Sequence, residues 1–268
     1  MHEASRTITA FLDGPDSPDI SNPIHSTAVA QAYGFKAALV GGVTVYGWCA
    51  RSVMEAVSDA WLDMGWADVA FRRPVYPGDI MTVRAASSGG FKMTNAAGER
   101  CLVGTAGLGV APWFEEFIAL DYAAPEPPLV SPPELTLATA PAGQRLRAMA
   151  CPYFEGEALT YVNEKQADRN PPWVGPGARI HPGWIAARMT PLLKHSFRYG
   201  PSIHARSQIL HLAPALVGQV VTVTGRFIRA YEEKGHHYAV FDGALFSESG
   251  AELARIRHTT IFRPARRT

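Results

Sequence analysis

The distribution of proline constrains this chain most. Seven of its 21 prolines fall in one stretch: Pro112, Pro125, Pro127, Pro128, Pro132, Pro133 and Pro141. Proline removes a backbone donor and disfavours helix in the residue before it, so this stretch cannot be one regular element. It reads as a semi-rigid connector, residues 112–144, between a first unit of residues 1–111 and a second of residues 145–268. At 268 residues the chain has room for one large domain or two small ones.

The two flanks repeat one order of elements. In the first, Gly41-Gly42 precedes an apolar stripe at helical spacing: Tyr46, Cys49, Ala50, Val53, Met54, Val57 and Trp61. Then comes Phe71-Arg72-Arg73-Pro74-Val75-Tyr76-Pro77-Gly78-Asp79, a strand and a turn, with a further strand from Ile80. In the second flank, His181-Pro182-Gly183 precedes a helix over Trp184 to Leu193. A strand from Ile209, a turn at Gly218 and a strand from Val220 follow. Gly42 and Gly183 are 141 residues apart, and Gly78 and Gly218 are 140 apart. Two glycine matches at nearly one offset, each at the same point in the order, imply a duplicated unit.

The second unit ends in strands over Val220–Ala230, His236–Phe246 and Leu253–Phe262, separated by the turns Glu232–Gly235 and Ser247–Gly250. Short turns between consecutive strands give an antiparallel meander. The expectation is an α+β chain in which each half is a curved antiparallel sheet wrapped around one long helix. Two such sheets can pair edge to edge and hide their open edges.

Composition narrows the function classes. With 47% hydrophobic and 18% charged residues, the chain is not disordered. Lys plus Arg number 25 against 24 for Asp plus Glu, which gives no electrostatic reason to expect nucleic acid or a membrane surface as partner. The basic run Arg263, Arg266 and Arg267 reads as a solvated tail. Three cysteines, Cys49, Cys101 and Cys151, form no CxxC and cannot all pair, which fits a reducing compartment. Cys49 lies on the helix stripe and reads as a buried thiol rather than a nucleophile. Met1-His2-Glu3-Ala4 carries no signal-peptide pattern, and the uncharged run Ala37–Ala50 is too short to span a bilayer. These features predict a cytoplasmic protein. No Gly-x-Ser-x-Gly elbow occurs. Gly104-Thr105-Ala106-Gly107-Leu108-Gly109 does not fit a dinucleotide fingerprint.

The sharpest chemical cluster is Asp19-Ile20-Ser21-Asn22-Pro23-Ile24-His25, shortly before the Gly42 helix. Pro23 restricts the local chain and aims Asn22 and His25. Histidine moves protons near neutral pH. By position alone, His25 reads first as a satisfied surface or capping residue, with an acid/base beside a helix end as the alternative.

The segments Asn22-Pro23-Ile24-His25, Leu39–Gly47 with Gly42 at the helix start, and Phe71–Asp79 resemble the MaoC-like hotdog proteins, which include the R-specific enoyl-CoA hydratases. The specific motifs cover about residues 15–110; the second half resembles the family by topology alone. The resemblance implies a tandem (double) hotdog that adds water to, or removes it from, an enoyl or 3-hydroxyacyl thioester of coenzyme A or a carrier protein, with no metal and no cofactor. It implies that His25 shuttles the proton, that Asn22 orients it, and that the Gly42 N–H polarises the thioester carbonyl. The family motif reads Asp-x-Asn-Pro-(Leu/Ile)-His, so its aspartate falls on Ile20. Asp19, the expected acid, is one residue away, and a one-residue slip in extended chain turns a side chain to the other face. Gly41, Val43 and Tyr46 are the expected substrate contacts, with His181 and Gly183 at the second helix start. The alternatives are a hotdog thioesterase, a cyclase or isomerase of an unsaturated metabolite in the same cleft, and a non-catalytic acyl-binding protein. Two units in one chain leave a monomer and a homodimer open.

Seven of the nine histidines lie in the second half: His181, His195, His204, His211, His236, His237 and His258. Taken singly they read as structural, and no spacing among them suggests a zinc site. His236 and His237 are adjacent on one strand, so at most one can face a site. Together they leave open a site built across both halves.

Overall fold

The computed structural model of the chain describes residues 3–266. Its strands are β1 (Glu3–Thr9), β2 (Gly65–Phe71), β3 (Ile80–Ala86), β4 (Gly90–Asn95), β5 (Arg100–Leu108), β6 (Arg145–Tyr153), β7 (Ile203–His211), β8 (Gln219–Glu233), β9 (His236–Phe246) and β10 (Glu252–Arg263). Its α-helices are α1 (Thr27–Ala32), α2 (Gly42–Gly47), α3 (Ala50–Ala56), α4 (Trp61–Met64), α5 (Glu155–Tyr161), α6 (Pro182–Ala187) and α7 (Met189–Ser196). No helix among the described residues is long and apolar enough to cross a membrane.

All ten strands form one antiparallel sheet in the order β1-β3-β4-β5-β2-β7-β10-β9-β8-β6. The first five and last five positions repeat one topology, β1-β3-β4-β5-β2 against β6-β8-β9-β10-β7, so the fold is a tandem hotdog. The halves join where β2 pairs antiparallel with β7, from Trp66 opposite Leu210 to Ala70 opposite Arg206. Edge-to-edge pairing removes the open edge of each half.

The two glycine pairs of the repeat have different physical causes. Gly78 (φ +85°) and Gly218 (φ +102°) sit in left-handed turns leading into β3 and β8, a conformation glycine alone adopts cheaply. Gly42 and Gly183 open helices and serve close approach. A Cβ on Gly183 would lie 2.7 Å from Tyr161 Oη and 3.1 Å from Gly47 Cα, so α2 and α6 pack almost backbone to backbone.

The predicted long helix is interrupted in both halves. The first breaks between α2 and α3 at Trp48-Cys49, where the Cys49 N–H bonds back to the Tyr46 carbonyl three residues earlier. The second breaks at Arg188, whose N–H bonds to Ile185 three residues earlier. Such bonds tighten the turn and redirect the helix at equivalent points. The stripe residues Tyr46, Cys49, Ala50, Val53, Met54 and Trp61 are buried against the sheet. Burial pushes the Cys49 thiol well above its ordinary range, which suits an inert core residue.

The proline-rich segment contains only one short 3-10 turn, Phe114–Glu116, and lies along the sheet. Trp113 and Phe117 pack on Leu210 and Trp66, covering the seam between halves. The fully buried Asp242 takes two hydrogen bonds from Arg257, at 2.7 and 2.9 Å, and one from the Ile118 N–H at 3.3 Å. The basic run is not a solvated tail throughout. Arg263 ends β10, the Arg266 guanidinium lies 6.0 Å from the centre of the Tyr33 ring, and Arg267 lies outside the described residues, as do Met1 and His2.

Candidate active site

Pro23 occupies the first position of a 3-10 turn, Pro23–His25, where a missing N–H costs nothing. Ile24 in the middle of the turn is fully buried and packs with Ala30 and Leu39. This anchor turns His25 toward a cavity of about 1070 Å³ at the seam between halves. The His25 Nδ1 lies 2.6 Å from the Leu39 carbonyl, which only accepts, so Nδ1 carries the hydrogen in the neutral ring. Nε2 is then the acceptor, and the Asn22 amide donates to it at 3.1 Å.

Asn22 also ties the two halves together. Its Nδ2 donates to the Ser202 carbonyl at 2.9 Å, and its Oδ1 accepts from the Ser202 N–H at 3.0 Å. The side chain thus mimics a strand partner for the residue just before β7. Burial holds the His25 proton affinity below its ordinary value; the Leu39 carbonyl and Asp13 pull it up, and Lys194 and Lys165 push it down. The resting imidazole at neutral pH is uncharged, with its basic nitrogen on the Asn22 side.

The head of α2 forms another part of the cavity lining, through Gly41, Gly42 and Val43. Gly42 is required by His204 of β7: a Cβ there would lie 2.8 Å from His204 Cβ. Asp13 lies over the same turn. Its Oδ2 accepts from Thr44 Oγ1 at 2.6 Å, and a Cβ on Gly41 would sit 3.4 Å from that oxygen.

Of the residues expected from the sequence, His25, Asn22, Gly41, Gly42 and Val43 line this one cavity. Four others do not. Asp19 is exposed, outside the lining, and engaged through its own N–H with Ser17 Oγ. The one-residue displacement from the motif therefore carries it away from His25. Tyr46 is fully buried in the core, because the helix stripe directs it at the sheet rather than the cleft. His181 caps α6: its Nδ1 accepts the Gly183 N–H at 3.1 Å, and its ring packs 4.4 Å from Trp173. Gly183 is consumed by the helix crossing described above. At the 141-residue offset of the repeat His25 corresponds to Gln166, which is buried against Gly47 and donates to Tyr161 Oη at 3.2 Å.

The second half instead supplies walls to the first half's cavity. Lys165, Lys194, His195, His204 and His236 line it, while His237, on the opposite face of β9, does not. Lys194 of α7 donates to the Ser21 carbonyl, and Lys165 donates to the Asp13 carbonyl at 3.2 Å. His204 Nε2 meets Ser207 Oγ at 2.8 Å, and that oxygen meets His258 Nδ1 at 3.0 Å. Sequence reading missed Asp13, Lys165, Lys194 and His204 as site residues. None sits in a motif, and only the pairing of halves brings them together. Although the chain is nearly neutral, the lining carries Arg72, Arg73, Lys165 and Lys194 against one carboxylate, Asp13.

No family model and no curated protein matches the chain. Solved structures do. A MaoC-like dehydratase superposes with a TM-score of 0.58 at 15% identity, over 90% of this chain and 89% of that one. A Mycobacterium tuberculosis protein, described as essential for bacterial survival during infection and as having a double hotdog fold, gives 0.58 at 14% identity, over 90% and 86%. The GphF dehydratase 1 gives 0.56 at 13% identity, over 98% and 93%. At these identities the likeness is one of fold, and the fold is the double hotdog.

Proposed function

We propose that the chain is a hydratase or dehydratase of acyl thioesters, working in the seam cavity of its first half. The observation that carries this reading is the uncharged His25, with Nε2 as acceptor, in the same cavity as the head of α2. In the hydration direction the Asn22 amide yields Nε2 to the incoming water while keeping its two bonds to Ser202, and Nε2 removes a proton from that water as its oxygen bonds to Cβ of the enoyl group. The electron pair of the double bond moves toward the thioester carbonyl. The Gly42 N–H at the α2 head stabilises the developing oxyanion. Nε2–H then returns the proton to Cα, so one water enters and nothing else is consumed. The Leu39 carbonyl fixes the ring and its tautomer, and Asn22 occupies Nε2 only until water takes its place. The surplus of cations in the lining suits a substrate carried on a phosphate-bearing arm, either coenzyme A or the phosphopantetheine of a carrier protein.

The test is turnover of crotonyl-CoA, followed by loss of enoyl absorbance, in wild type and His25→Ala. Removal of a general base is expected to lower the rate roughly 100-fold or more. Equal rates would remove His25 from the chemistry. Release of free thiol with the enoyl absorbance intact would reassign the site to thioester hydrolysis. Binding without turnover across a panel of thioesters would make the chain an acyl-binding protein.

A further inference from the structure

The basic run at the end of the chain has no part in the chemistry above, yet the fold brings it to the mouth of the cavity. Beyond β10 the tail is anchored by the buried Pro264. The Ala265 N–H donates to His236 Nδ1 at 2.9 Å. Ala265 also packs on the turn between β8 and β9, where a Cβ on Gly235 would lie 3.3 Å from its own. Ala265, His236 and Tyr238 line the cavity from the second half, and Tyr33 lines it from the first. The Arg266 guanidinium lies 6.0 Å from the centre of that Tyr33 ring, so the tail crosses from one half to the other at the rim. The wall beneath it is aromatic. Tyr231 of β8 stacks parallel on Tyr238 at 4.9 Å, and His236 meets the same ring edge-on at 6.2 Å. The rim is also cationic. Lys36 is paired with Asp79 and Arg73 with Glu99, each at 3.2 Å, whereas Arg72 and Arg266 have no carboxylate partner among the described residues. At the α7 end the lining includes Met149, Ala187 and Pro191, which leaves that end to the acyl group. Flat rings beside free guanidiniums are the pairing that holds a nucleotide: the base stacks on a ring, and phosphate oxygens accept from arginine.

We propose that the C-terminal tail and the β8–β9 hairpin form a nucleotide subsite at the cavity mouth, which takes the adenosine phosphate end of coenzyme A and makes the substrate a coenzyme A thioester rather than a carrier-protein one. This rests on the reading of the cavity as an acyl-thioester site. The base lies against Tyr238 and His236, the phosphates lie toward Arg266 and Arg72, and the pantetheine arm runs inward to the head of α2. The arm of a carrier protein ends in a single phosphate on a protein serine and carries no base. It would leave the aromatic wall unused and would have to bring a whole domain against a rim already crossed by the tail.

The experiment is titration calorimetry with coenzyme A, its adenosine bisphosphate fragment and phosphopantetheine, on wild type, Arg266→Gln, Tyr238→Leu and Arg263→Gln, with melting curves to establish folding. Arg263 belongs to the same basic run but is exposed at the end of β10 and outside the lining, so its variant removes the same charge without touching the subsite. Wild type is expected to bind coenzyme A roughly 10-fold or more tightly than phosphopantetheine, and the adenosine bisphosphate fragment is expected to compete with coenzyme A. Arg266→Gln and Tyr238→Leu each weaken coenzyme A binding roughly 10-fold, whereas Arg263→Gln stays within about twofold of wild type. Arg266→Gln lies at the surface and keeps the test decisive if Tyr238→Leu fails to fold. Equal affinity for coenzyme A and phosphopantetheine, or wild-type affinity for coenzyme A in Arg266→Gln, would overturn the subsite. A crotonyl carrier protein that binds more tightly than crotonyl-CoA would overturn the choice of carrier. Every readout is binding, so the outcome is separate from that of the hydratase reading: a chain that binds coenzyme A as expected and hydrates no crotonyl-CoA loses that reading and keeps the subsite.

Discussion

Acidification should destabilise this protein well before its carboxylates protonate, because several imidazoles are buried without charge. His181 is almost fully buried, and its Nδ1 accepts the Gly183 N–H, so protonation would set two donors against each other. His258 is fully buried between Phe241 and the His204 ring. His211 is buried edge-on to Trp61, and neither of its ring nitrogens has a hydrogen-bond partner among the described residues. Burial pushes His181 and His258 down to about 3 from 6.5, and His211 to about 4 despite the opposing charge of Asp63.

The sign follows from proton uptake. With the folded value depressed, the unfolded chain binds the proton first, so stability is full above about pH 6.5 and falls as pH drops toward the folded values. At about pH 5 each unfolded imidazole gains about 2 kcal/mol from protonation, while its folded counterpart gains almost nothing. These three amount to about 6 kcal/mol, and the buried His204, also held well below its ordinary value, adds to them, against a total stability of about 5–15 kcal/mol for a typical domain. Urea unfolding at about pH 7.5 and about pH 5 measures this directly. The midpoint should fall steeply, and His211→Leu should remove about a quarter of the fall or less, because His204 and His25 are held down by burial as well. A midpoint that does not change across this range would refute the reasoning, because it would mean that these rings are hydrated or charged in the native state.

Two further outcomes follow from the seam. Asn22→Ala leaves the buried Ser202 N–H and carbonyl unpaired and releases His25 Nε2, with an expected loss of about 2–4 kcal/mol in urea unfolding; a change below about 0.5 kcal/mol would show that the clamp between halves does not bear load. Gly183→Ala forces a Cβ against Tyr161 Oη and Gly47 Cα and should lower stability by about 1–3 kcal/mol, read from thermal unfolding. Ligand affinity of the first-half cavity should stay unchanged in that variant, and a loss of affinity would restore Gly183 to the binding site.

What the sequence alone determined is whatever a local rule writes. The turn glycines Gly78 and Gly218 mark left-handed backbone, the apolar stripe from Tyr46 to Trp61 marks a helix on a sheet, and the closing strands match β8, β9 and β10 within a few residues. Pro23 and the buried Ile24 set a turn that aims His25, so two of the motif's side chains were legible as cavity residues. The helix interruptions at Trp48-Cys49 and Arg188 were not: Gly47 precedes the first and Pro191 follows the second, but each is also tolerated within or at the start of a continuous helix, and the apolar stripe runs on past them. The site itself was decided by tertiary structure. Asp13 reaches the α2 head only because the loop after β1 folds over it, and His204 and Lys194 reach the cavity only because β2 pairs with β7. Tyr46, His181 and Gly183 were themselves expected as substrate contacts, yet packing turns them into the core, a helix cap and a helix crossing. A one-residue offset settled Asp19 in the same way. Backbone conformation is a property of neighbours in the chain, whereas a pocket is a property of surfaces that meet across it, and no local pattern records which surfaces those are.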